Sequence, residues 1–220
     1  MGGTDLISSF WVWGVALVVY TLFLAWYVNW RGPLAKAEVE DLIGRMTASG
    51  VGRGGPDELP TLRRFLDEDD GREFFMLNVI RMADGPVADP ETGELKPARK
   101  VMEGYTRMFL PALFARGGHP ALAARRVGGL VDTWGIQDCP QWSMMGYVRY
   151  RSRRDLAQLI CDPRFADAHG FKHAAMPQTF NFPTRPMIMT LAGPRLWVGL
   201  SLALAAALVQ VALLLQALAA

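Results

Sequence analysis

Two long apolar runs bracket the chain, and a mixed pattern of hydrophobic and polar positions lies between them. Ile7 to Trp30 and Leu196 to Ala220 contain no charged residue. About 20 helical residues cross the roughly 30 Å hydrocarbon core of a bilayer, so each run is long enough to span one. The first run is aromatic at both ends, with Phe10, Trp11 and Trp13 at one and Trp26, Tyr27 and Trp30 at the other. Two belts at that separation suit two membrane interfaces. A cleaved signal peptide would place basic residues before the run and small residues after it. Here Asp5 precedes it and Trp-Tyr-Val-Asn-Trp-Arg follows, so an anchor is expected. The second run repeats a small residue every fourth position, at Gly199, Ala203 and Ala207. That pattern lets another helix approach closely and points to packing against other membrane protein subunits.

Between the runs the periodicity changes from element to element. Leu34, Val39, Leu42, Ile43 and Met46 fit an amphipathic helix, which ends in the Gly-rich stretch Ser49 to Pro56. No strand precedes those glycines and no Gly-Lys-Ser/Thr follows, so a phosphate loop is excluded and a hinge between anchor and domain is expected. Asp57 caps a short helix, Glu58 to Leu66. Phe74 to Met82 is apolar on both alternating faces except at Asn78 and Arg81, the pattern of a strand covered on both sides. A turn-rich loop, Ala83 to Pro97, leads to Met102, Tyr105, Phe109 and Leu113 at helical spacing. Leu122 to Val131 and Trp142 to Tyr150 read as strands, the latter with Trp142, Met144, Gly146, Val148 and Tyr150 on one face. Ser152 starts a helix with Asp155 three residues on, and Asp162-Pro163 restarts it toward Met176. Thr179 to Phe182 closes the series as a short strand.

The order β-α-β-β-α-β predicts an α+β fold, the ferredoxin-like arrangement of a four-stranded antiparallel sheet with both helices on one face. Four segments result: an N-terminal membrane helix (residues 1–33), an amphipathic helix and linker (34–56), the ferredoxin-like domain (57–190) and a C-terminal membrane helix (191–220). The sheet face without helices is apolar, so a homodimer through that face is expected, with Trp142, Met144 and Val148 against the partner sheet.

Charge adds the orientation. Arg31 and Lys36 follow the first span and Arg185 and Arg195 precede the second, whereas the outer flanks carry only Asp5. The positive-inside rule then places the domain in the cytoplasm of a bacterial inner membrane, with both termini periplasmic. A net charge of +2 over 220 residues argues against a nucleic-acid partner. Cys139 and Cys161 have no metal-type spacing and fit a reducing compartment.

FFMLNVIRM, LPALFARGGHP, YVRYRSRRDLAQLICDPRFADAH and the final FP-x-RP resemble the DUF1330-like branch of the dimeric α/β-barrel superfamily. The resemblance covers about Asp57 to Pro186 and neither apolar run. It implies a homodimer and does not imply one activity, since relatives include isomerases, cofactor-free oxygenases and haem enzymes. The similarity to haem-degrading members matches Asn78 to a strand-one Asn and His169 to a haem-ligating His, but Leu159 stands near where those enzymes carry a Trp. His169 and His173 share a helical face as metal pairs do, yet no third ligand is near in sequence, so no metal or other cofactor is expected and haem is the one candidate. The basic run Arg149, Arg151, Arg153 and Arg154 reads as a solvated face. No catalytic set stands out. The expected function is a non-catalytic accessory or assembly subunit of a larger membrane complex. The alternative is a tethered oxygenase, isomerase or haem-binding enzyme acting on an apolar small molecule, with Asn78, Tyr105, His119 and His169 lining its pocket.

Overall fold

The computed structural model describes residues 3–50, 58–135, 141–189 and 193–219, and the side chains among these outside positions 3–9 and 165–167. Along the chain run α1 (Gly3–Tyr27), α2 (Lys36–Ala48), α3 (Glu58–Asp67), β1 (Phe74–Arg81), β2 (Pro86–Ala88), β3 (Leu95–Pro97), α4 (Ala98–Ala115), β4 (His119–Arg125), β5 (Met144–Tyr150), α5 (Arg153–Ile160), α6 (Pro163–Ala175), β6 (Gln178–Thr184) and α7 (Pro194–Ala219). They form two compact units, Met1–Val28 with Pro186–Ala220, and Asn29–Arg185.

In the first unit α1 and α7 pack together. Both are long and apolar enough to cross a membrane, over Phe10–Tyr27 and Pro194–Ala219. Tyr20 lies against Gly199, where a Cβ would come within 3.3 Å of its ring, and its hydroxyl donates to the Arg195 carbonyl at 2.9 Å. Within this pair Ala206 is buried, Ala207 is half-buried and Ala203 is exposed. Gly199 and Ala206 therefore take part in the contact between α1 and α7, and Ala203 keeps an exposed surface.

The second unit is an antiparallel sheet in the order β4-β5-β1-β6, with α4, α5 and α6 on one face. Counting β1, β4, β5 and β6 as the four strands, this is the ferredoxin-like order. Phe74 stacks on Tyr150 at 5.3 Å, and both pack with Leu113, Leu156 and Leu159; Met76 and Val148 join that cluster. Ile80 packs with Val101, Phe171 and Met176 farther along. Even-numbered positions of β1 and β5 therefore face the helices. Gly104 lets α6 approach α4, since a Cβ there would lie 2.5 Å from the Phe171 ring.

Three expectations need correcting. Met144, Gly146, Val148 and Tyr150 point toward the helices, so Met144 and Val148 do not lie on the open face. That face carries instead Leu77, Val79, Met145, Tyr147, Leu122, Phe180 and Phe182, fixed by register. Next, α2 is not a separate link: Val39, Leu42, Ile43 and Met46 form a core cluster with Leu66, Ala157 and Cys161. The glycine-rich stretch 51–57, with Asp57, lies outside the described residues, but the helices on either side of it belong to one unit. Lastly, the loop between Ala83 and Pro97 contains the β2–β3 hairpin, with Asp89 accepting from the backbone of Glu91 and from Lys96.

The arginine run is not a solvated face either. Arg149, 1% exposed, bonds Glu73 and the Gly117 carbonyl. Arg151 pairs with Asp155, and Arg153 lies 4.5 Å over the Phe65 ring. Arg154 donates to Glu38 and to the carbonyls of Gly32 and Pro33. These contacts stitch residues 29–35 to the domain. Asn29 adds a bond to the Gly71 carbonyl at 2.8 Å, and Leu34 N–H donates to Asp69 at 2.8 Å. Gly71 has φ +73°, and a Cβ there would fall 2.7 Å from the backbone of Gly32, so only glycine fits. Both outer strands carry a proline, Pro120 in β4 beside a register shift and Pro183 in β6.

Candidate functional site

One row across the helix-facing side of the sheet differs from the rows on either side. Register sets Ala123 of β4, Gly146 of β5, Asn78 of β1 and Asn181 of β6 side by side. The neighbouring rows carry Val148, Met76 and Pro183 on one side and Met144, Ile80 and Thr179 on the other. The middle row thus combines two amides and a residue without a side chain inside a largely apolar face. A Cβ at Gly146 would meet only the Leu122 carbonyl, at 3.6 Å, so the space above it is open.

Asn78 is half-buried. Its Nδ2 donates to the Met76 carbonyl at 3.0 Å and more weakly to the Gly146 carbonyl at 3.5 Å. Among the described residues its Oδ1 accepts no hydrogen bond. A carboxamide satisfied through its nitrogen and open at its oxygen is oriented to accept from a ligand. Asn181, opposite Asn78 in register, is exposed, so the row opens to solvent at the β6 edge.

Tyr105, on α4, packs against both clusters beneath the helices and stacks on Phe109 at 5.3 Å. Burial pushes its phenol well above the ordinary range, and Tyr150 is raised in the same way, by burial and then by the neighbouring Tyr105. Both stay protonated at neutral pH and serve as donors and aromatic walls, not as bases.

The histidines divide between places. His119 opens β4 opposite Arg149, which puts it on the other face of the sheet from Asn78. Its Nδ1 lies 3.0 Å from the Pro120 carbonyl. His169 is half-buried on α6, with its ring 6.2 Å from that of His173 and tilted by 30°. Leu159 is a core residue at 2% exposure. Among the described residues no three His, Cys, Asp or Glu side chains converge as a metal site. Asp162 caps α6 and pairs with Arg164 and Arg116, while Asp155 stands in the first turn of α5, its N–H donating to the capping Ser152 and its carboxylate accepting from the Ser152 hydroxyl. Cys161 is buried, and burial raises its thiol.

Register therefore keeps Asn78, and the helix above it Tyr105, on one side, and removes His119. Sequence reasoning missed Gly146 and Asn181. The alternation Thr-Phe-Asn-Phe-Pro at 179–183 held the signal, because it sets Asn181 opposite in face to the two phenylalanines.

No family model matches the chain, nor does any curated protein. Solved structures do match the domain. The methylated RPA0582 protein is 19% identical over 60% of this chain and 93% of its own, with a TM-score of 0.50. The RPA0582 protein of Rhodopseudomonas palustris, of unknown function, gives 18% identity over 59% of this chain and 94% of its own, with a TM-score of 0.49. A dimeric protein of unknown function and ferredoxin-like fold from Bacteroides fragilis is 12% identical over 52% of this chain and 96% of its own, with a TM-score of 0.31. At such identities the likeness concerns the fold alone.

Proposed function

We propose that the chain is a membrane-anchored accessory subunit, in which two membrane helices hold a cytoplasmic ferredoxin-like domain that pairs with a second copy through its open sheet face. The observation that carries this reading is the character of that face. Phe180 and Phe182 stack at 6.1 Å while 43% and 46% exposed, Trp142 meets Phe180 edge-on at 5.1 Å, and Leu122 is 46% exposed. Singly exposed apolar residues are ordinary, but a contiguous aromatic patch on a sheet calls for a cover. A twofold copy supplies an identical, self-complementary surface. The accessory role rests on the two apolar helices and on the engagement of the domain's arginines and caps in its own architecture.

The test is a mass measurement on the full chain in mild detergent. We expect a protein mass of two chains, reduced to one by Phe182→Asp, and a heavier assembly in native gels of gently solubilised membranes. A wild-type monomer overturns the pairing, and a dimer alone at every detergent strength overturns the accessory role.

A further inference from the structure

The α1–α7 pair leaves an open groove of about 510 Å³ along one side, apolar for most of its length. Trp13, Leu17 and Tyr20 of α1 form one wall, and Gly199 and Ala203 of α7 form the other. Small residues on α7 are what keep it open. At Gly199 a Cβ would come within 3.3 Å of the Tyr20 ring, so backbone makes the floor there, and Ala203 adds only a methyl group.

Arg195 stands at one end of the groove. Its guanidinium carbon lies 5.5 Å from the centroid of the Tyr27 ring, and its carbonyl accepts from the Tyr20 hydroxyl at 2.9 Å. Tyr20, Phe23 and Tyr27 stack in series at 6.1 and 5.1 Å, which fixes the rings that hold Arg195. Trp26 and Trp197 flank this end, 40% and 52% exposed, and tryptophans so placed favour the headgroup level of a bilayer. From Arg195 to Ala203 the helix rises about 12 Å. One leaflet of a roughly 30 Å hydrocarbon core is about 15 Å deep. The groove therefore has the length of a path from headgroup level through most of a leaflet.

We infer that this groove binds one anionic phospholipid, with an acyl chain between Trp13 and Ala203 and the headgroup phosphate on Arg195. The inference rests on the membrane placement proposed above and names a partner for the two helices. A guanidinium meets a phosphate through paired, charge-assisted hydrogen bonds, and basic residues beside a span attract anionic lipid. Charge also separates a lipid from a second copy of the helix pair. Residues 7–30 and 196–220 hold no charged side chain, so the apolar runs of another copy bring no acid to Arg195. A lipid supplies both the anion and the apolar chain from one molecule.

The test is native mass spectrometry of the full chain, released from mild detergent after mixing with equal phosphatidylglycerol and phosphatidylcholine of the same acyl chains. We expect one retained lipid per chain, several-fold richer in phosphatidylglycerol. Arg195→Gln should cut that preference about fivefold, the weight of one basic residue near an anionic surface, and it spares the carbonyl that Tyr20 bonds. Ala203→Leu should fill the groove and remove most retention of both lipids. Ala205→Leu, the same enlargement about 200° around the helix at an exposed position, should change nothing. Equal retention of the two lipids, an unchanged preference in Arg195→Gln, or equal effects of the two alanine variants overturns the inference. A protein partner that leaves with Arg195→Gln while no lipid is retained assigns the groove to an acidic helix and overturns it as well. A chain that stays soluble once detergent is removed overturns the membrane placement itself. A monomer that retains phosphatidylglycerol sustains the inference and overturns only the pairing of sheets.

Discussion

Replacing Arg154 with Met tests how firmly the segment after the first apolar helix is bound into the domain. The side chain is 5% exposed and makes four hydrogen bonds: to Glu38 Oε1 and Oε2, each at 3.1 Å, to the Gly32 carbonyl at 3.2 Å and to the Pro33 carbonyl at 3.1 Å. Methionine matches its length and apolar stem but removes two of the bonds to Glu38, which keeps Arg31 and the Ala35 N–H, and the guanidinium's bonds to the Gly32 and Pro33 carbonyls, the former keeping Asn29. Removing one partner of a fully buried ion pair costs about 3–5 kcal/mol. The Glu38 side chain is 35% exposed, and water reaches it in the mutant, which brings the expected loss to about 2–3 kcal/mol. For a unit of this size each kcal/mol moves the midpoint by about 2–4 °C, so thermal melting should fall by roughly 4–12 °C. Arg154→Lys should recover only part of this, since an ammonium cannot make the fork. The pH dependence carries its own sign. The Arg154 hydrogen bond, then the Ala35 N–H, holds the Glu38 carboxyl below its usual value of 4.5. A depressed carboxylate contributes stability above its unfolded pKa and loses it as pH falls through the folded value. The gap between wild type and mutant should therefore narrow below about pH 4.5. A midpoint change under about 1 °C, or a gap independent of pH, would refute the latch.

Three further outcomes follow from the same geometry. Val148→Asp should unfold the domain rather than release a monomer, because Val148 faces the helices; circular dichroism would register a loss of roughly 3 kcal/mol or more. Asp162 accepts from Arg164 and Arg116 and is held far below the ordinary carboxylate value, chiefly by the Arg164 side chain; Asp162→Ala should cost about 1 kcal/mol at neutral pH as a lost cap, with the difference vanishing in melts as acid takes pH below 3.8. A reporter active only in the periplasm should work when fused after Ala220 and stay silent within Ala83 to Pro97; the reverse pattern would overturn the cytoplasmic placement of the domain.

The order of elements could be read from the sequence because turn chemistry bounds the strands and caps open α5 and α6. Ser152 and Asp162 do accept from the backbone N–H groups of Asp155 and Arg164. Facing was harder. β5 has Met144 and Met145, then Tyr147 and Val148, so both alternating faces are apolar and periodicity cannot say which one meets the helices. The strand before it is placed three residues earlier than the pattern suggested, beginning at His119, and this phase sends His119 to the far face. The arginines were misread for another reason. Charge runs are usually solvated, and only the fold brings Glu73, Asp69 and Glu38 to meet them. The β2–β3 hairpin escaped because three-residue strands carry too little pattern to detect. Asn78 stood out as a lone amide in an apolar run.

The prolines on the outer strands bear on how such molecules behave when crowded. Were the domain tethered to a membrane as proposed, it would meet its neighbours in two dimensions, and crowding of that kind favours the zipping of open sheet edges into ribbons. Pro120 and Pro183 each lack the N–H that an added strand would need, and the irregularity beside Pro120 bends β4 away from a straight template. Lateral growth is thereby discouraged at both ends of the sheet while its broad surface stays available. On the proposed reading, copies side by side in a bilayer would stop at a closed pair instead of continuing into a filament.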